Sequence, residues 1–148
     1  MSNILYILAM SFREKSAWIS FGCLLAVGGF WFRNIIRVEV YHVRQANPML
    51  AFLSLLAALI LAEIALHLVI ALRDPKEART PKDEREKLID LKAARVGFYV
   101  LMTGAWLSIG SLHLNFDRLR IADTVLTAII LAELVKFATQ IALYRRDA

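Results

Sequence analysis

Two glutamates, Glu63 and Glu133, each interrupt a long run of apolar residues. An acidic residue near the middle of an apolar helix in lipid costs about 2.5–3.5 kcal/mol on insertion scales. It therefore faces the bundle interior or a polar cavity, pairs with something, or stays protonated. His67 follows Glu63 at i+4, while Lys136 and Gln140 follow Glu133 at i+3 and i+7, so each set shares one helix face. Carboxylates beside an imidazole and an ammonium, shielded from water, are what a proton- or cation-handling core requires. The same residues would also make a Glu–His and a Glu–Lys network that only pins helices together. Residue types and spacing leave both readings standing.

Other chemistry finds little support. A bis-histidine haem needs two imidazoles at one depth on facing helices. The two runs would cross the membrane in opposite directions, which puts His67 in the cytoplasmic half and His113 at the outer face, and His42 with His113 is too sparse a pair to argue a metal. No haem, metal or other cofactor is expected. Cys23 is the only cysteine, which excludes an intramolecular disulfide and a cysteine metal site. No nucleophile–base set, phosphate loop or metal signature occurs, so no enzymatic activity is expected. Small residues recur at helical spacing: Gly97, Gly104 and Ser111 every seven, Gly104 with Ser108, Ala58 with Ala62, and Ala128 with Ala132. These read as close-packing faces, within a bundle or between protomers.

The elements that must position these residues follow from composition. Of 148 residues, 59% are hydrophobic, above the roughly 45–50% of a soluble domain. Charges gather between the apolar runs instead of alternating with them. Four runs approach the ~20 residues that a helix needs to cross a bilayer. They cover about 17–36, 49–72, 96–114 and 121–144, as one four-helix transmembrane domain. Asn47-Pro48 reads as the N-cap and N1 pair of the second, and Arg73-Asp74-Pro75 stops it. Residues 1–12 are apolar but too short to span, and their basic residues follow instead of leading, so an interfacial helix is expected there. The 73–95 segment is the only sizeable polar stretch. Thr80-Pro81 reads as the start of a cytoplasmic helix that continues into the third span, with Leu88, Ile89 and Leu91 near the lipid surface. Its mixed charge marks it as a docking or lipid-surface element.

Orientation comes from counting Lys and Arg. Residues 13–15, the 73–95 segment and Arg145-Arg146 carry twelve on one side, against five at Arg33, Arg37, Arg44, Arg118 and Arg120 on the other. The excess marks the cytoplasmic side, which therefore holds both termini. The same placement makes the net charge of +5 a matter of orientation and anionic lipid, not of nucleic acid. An internal repeat is also visible. Residues 54–64 align with 124–134 at an offset of 70, six of eleven positions being identical, with Glu63 and Glu133 in register. A duplicated helical hairpin would place the two glutamates at equal depth on equivalent helices, both facing the bundle axis.

The stretch Asp83-Glu84-Arg85-Glu86, followed by the third span, together with Leu131-Ala132-Glu133 and Tyr144-Arg145-Arg146, resembles a group of small bacterial inner-membrane proteins of unknown function. The resemblance covers about 83–146. It implies an all-α, four-span fold in a bacterial plasma membrane and no particular activity. Three roles remain to be told apart: a small oligomeric channel or transporter using the glutamates, a structural or accessory subunit that binds another membrane protein, and, least supported, a haem-bearing redox subunit.

Overall fold

In the computed structural model, residues 12–41, 48–73, 75, 81–114, 116 and 118–146 are described, and they form four long helices. These are α1 (Phe12–Glu39), α2 (Pro48–Arg73), α3 (Glu84–Leu112) and α4 (Arg118–Arg146). The proposed interfacial helix and His42 lie outside the described residues. At 1.5 Å per residue, helices of 26–29 residues are roughly 39–44 Å long, enough to cross a ~30 Å hydrocarbon core with turns to spare. Among the described residues, Arg13–Val38 is the one helix that by length and composition together meets a spanning criterion, and Leu56–Val69 forms a shorter apolar stretch. The third and fourth helices carry more polarity: α3 opens on a charged segment, and α4 holds Asp123, Glu133 and Lys136.

Local sequence explains the helix ends. Pro48 begins α2, where its missing N–H is no loss. Arg145 and Arg146 occupy the last turn of α4, opposite the negative end of its dipole. The start of α3 corrects the expectation of a helix from Thr80-Pro81. Residues 81–83 are not helical, and Asp83 is the N-cap. Its carboxylate accepts from Glu84 N at 2.7 Å, and Glu86 reaches back to Asp83 N at 3.2 Å, a reciprocal capping box. Asp83 and Glu86 thus offer the backbone a stronger stop than Thr80 with Pro81 does.

The principal packing contacts join α2 to α1, α1 to α4 and α4 to α3. The α3–α4 contact is the most extensive, α1 lies against α4, and α2 packs substantially on α1 alone. This differs from two equivalent hairpins. An axis exchanging the hairpins would repeat the α1–α4 contact between α3 and α2, and among the described residues no comparable contact occurs. The reason is side-chain size. Gly97 comes close enough to α4 that an added Cβ would lie 3.0 Å from Lys136 Cβ and 3.1 Å from the Ala132 carbonyl. A Cβ on Gly104 would run into that of Ala128. Among the described residues the first hairpin has no such matched row, and Ala58 on α2 is exposed.

The core is built of small residues: Ala17, Ala93, Ala128 and Ala132 are buried, along with Leu24, Ile89 and Ile141. Bulky apolar residues point outward instead, as do Leu53, Leu56, Ile60, Leu61, Ile64, Leu68 and Leu72 of α2. In water, side chains left about half exposed would each forgo roughly 1 kcal/mol of burial. Seven on one helix would rival the entire 5–15 kcal/mol net stability of an ordinary domain. An apolar surrounding removes that conflict.

Candidate functional site

The first half of α1, the second half of α2, the beginning of α3 and the end of α4 meet around an open cleft of about 280 Å³. Polar side chains from all four helices line it, a placement that no single apolar run reveals.

His67 sits at its mouth. The Glu63 carbonyl can only accept, so His67 Nδ1 donates to it at 2.9 Å. Nε2 shares a hydrogen bond with the Ser16 hydroxyl, also at 2.9 Å. The two bonds place a hydrogen on Nδ1 and join α2 to α1. Glu63 is half-buried and lines the same cleft, and among the described residues no hydrogen bond or ion pair reaches its carboxylate.

The opposite wall is a set of charged ties centred on α3. Arg13 Nε of α1 meets Glu86 Oε2 at 2.7 Å, both side chains being 22% exposed. That same oxygen closes the capping box, so one carboxylate secures both the start of α3 and its attachment to α1. Asp90 pairs with Lys82 and accepts from Gln140 Nε2 of α4 at 2.5 Å. A carboxylate can only accept, so the amide of Gln140 is oriented by this contact. Its Oε1 is then buried with no partner among the described residues, at a cost of about 1–3 kcal/mol. Tyr144 is buried against the cleft, and the Arg145 guanidinium lies 5.1 Å over the Trp18 ring.

These ties correct the reading of the 81–95 segment as a docking or lipid-surface element. Ile89 is 3% exposed and Ala93 1%, so one face of the segment belongs to the bundle. Leu88 and Leu91 are exposed, as a lipid-facing side would be.

The structure separates the two glutamates. Glu133 does not line the cleft but pairs along its own helix with Lys136 at 2.7 Å, both side chains being more than a third exposed. The Lys136 ammonium also lies 5.0 Å over the Phe137 ring. Of the sequence-derived candidates, Glu63, His67 and Gln140 are brought together, while Glu133 and Lys136 form a separate pair. The close-packing residues divide likewise. Gly97, Gly104, Ala128 and Ala132 meet across α3–α4. Ser108 and Ser111 are buried, with hydroxyls donating to Gly104 O at 2.8 Å and Ser108 O at 2.6 Å. Ala62 is half-buried on α2. His113 is the exposed C-cap of α3.

Sequence reasoning missed Arg13, Ser16, Lys82, Glu86, Asp90 and Tyr144. One signal was available: Ile89, Ala93 and Gly97 recur every four residues, so the apolar face of the third span already begins within the charged segment. Among the described residues, no group of three or more metal-ligating side chains occurs.

A family model described as "Predicted membrane protein (DUF2178)" matches residues 13–148. No curated protein and no solved structure matches the chain.

Proposed function

The chain belongs to this family of membrane proteins, and from that premise we propose that it crosses a bacterial plasma membrane four times and handles a proton or small cation at the cleft. Four helices of spanning length and the outward-facing leucines of α2 support the topology. The mutual neutralisation of Glu133 and Lys136 makes α4 compatible with lipid despite its charges. With twelve basic residues on one side and five on the other, the cleft opens toward the cytoplasm with both termini.

The observation that carries the functional reading is the Glu63 carboxyl group, without a partner among the described residues and one helical turn from His67, in a cleft open to one side. An ionised carboxylate there attracts a cation, and the imidazole supplies a second proton-accepting group within the same turn of helix. Glu133 takes the other role in this reading: paired with Lys136, it pins α4. The test is ion flux into liposomes containing the purified protein. Glu63→Gln keeps shape and hydrogen bonding but removes the charge, and is expected to abolish flux.

One observation favours a second reading, that of an accessory subunit. Because α2 packs substantially on α1 alone, most of its apolar circumference is free for a second copy or for another membrane protein. Crosslinking in the native membrane, followed by mass determination in mild detergent, distinguishes self-assembly from a foreign partner. An absence of flux together with a stoichiometric foreign partner would favour this reading.

A further inference from the structure

Resting on the reading of the cleft as a cation site, we infer that its ligand is a small organic cation bearing a primary ammonium group. Size comes first. A cleft of about 280 Å³ has room for a carbon-bearing cation as well as for an inorganic ion. Charge comes next. Arg13 is engaged by Glu86 and Lys82 by Asp90, which leaves Glu63 as the lining carboxylate without a partner among the described residues.

Donor and acceptor counts separate an ammonium from a metal. A calcium site gathers six to eight oxygens from carboxylates, carbonyls and water, and no group of three or more His, Cys, Asp or Glu side chains able to hold a metal occurs among the described residues. A primary ammonium presents three N–H donors in a compact fork and needs only three acceptors. The cleft offers the Glu63 carboxylate and the hydroxyls of Ser16 and Ser20, all on its lining. Phe137, on the same lining, supplies an apolar and π-rich wall for the carbon body of such a ligand.

The experiment is calorimetric titration of the full-length protein in mild detergent with methylammonium, ethylammonium, tetramethylammonium, potassium and magnesium. Methylammonium and ethylammonium are expected to bind saturably and to compete with each other. Tetramethylammonium, which has the charge but no N–H, is expected to bind at least tenfold more weakly, and Glu63→Gln to weaken methylammonium at least tenfold. Equal binding of tetramethylammonium, tighter binding of potassium or magnesium, or no saturable binding of either primary amine would overturn the inference. The wild-type ligand series decides the matter even if Glu63→Gln does not fold. Methylammonium binding without ion flux in liposomes would leave this site standing and remove the transport reading. Proton flux without methylammonium binding would do the reverse.

Discussion

Replacing Gly104 by alanine tests the α3–α4 contact, the most extensive between the helices. An added Cβ would collide with Ala128 Cβ and lie 3.3 Å from Ala128 Cα, and both atoms belong to a rigid helix. Overpacking of this kind costs about 1–3 kcal/mol, while alanine returns up to about 1 kcal/mol of helix propensity. The net expectation is a loss of about 1–2 kcal/mol, with a larger loss for Gly104→Val. Gly29 and Gly110 serve as controls, because nothing lies within 4 Å of a Cβ built on either. Gly29→Ala and Gly110→Ala should be neutral or slightly stabilising. Ala128→Gly combined with Gly104→Ala should recover most of the lost stability, since the added and removed methyl groups occupy the same place. Thermal unfolding in mild detergent, followed by circular dichroism, reads all five variants. Equal melting of Gly104→Ala and Gly29→Ala, or failure of the double variant to recover, would refute the packing argument.

Three further outcomes follow from the same geometry. Arg13→Ala should cost about 1–2 kcal/mol, because it strips a part-buried carboxylate of its cationic partner and leaves it only the capping-box contact at the start of α3; reversal of the exposed Glu84 should cost under about 0.5 kcal/mol, and equal melting of the two would sink the distinction. Asp90→Asn should destabilise by about 1–3 kcal/mol by stranding Lys82 and misdirecting the Gln140 amide, whereas Lys82→Met should cost less, since Lys82 is the more exposed partner; the detergent melting curves give the order. With Cys23 removed, cysteines at positions 44 and 117 should react with a membrane-impermeant reagent on intact cells while one at position 82 should not, and the opposite pattern would invert the topology.

How much of this was legible in the sequence depends on the kind of signal. The four helices show themselves as long apolar runs bounded by charge, and the α3–α4 contact as small residues at close-packing spacing, with Gly97, Gly104, Ala128 and Ala132 meeting as their types require. The true start of α3 was present in Asp83 and Glu86, but Thr80-Pro81 offered a competing stop three residues earlier. The cleft was hardest to see. Its residues come from four separated segments and are of types that, one at a time, look like ordinary flanking charges: Arg13, Lys82 and Asp90 gain meaning only when the fold places them beside Glu63 and Gln140. The repeat at an offset of 70 was real as a pattern but misleading as geometry, because equal sequence around Glu63 and Glu133 does not give equal neighbours. α4 is covered on two sides by α1 and α3, whereas α2 packs substantially on α1 alone.

The central claim is that the cleft at Glu63, and not the Glu133–Lys136 pair, handles the cation. Proton and methylammonium flux into liposomes, measured side by side for wild type, Glu63→Gln and Glu133→Gln at matched protein density, tests it directly. The account predicts flux in the wild type, none in Glu63→Gln, and retained flux in Glu133→Gln with a lowered melting temperature from the stranded Lys136 charge. Undiminished flux in Glu63→Gln, or selective loss in Glu133→Gln, would contradict it.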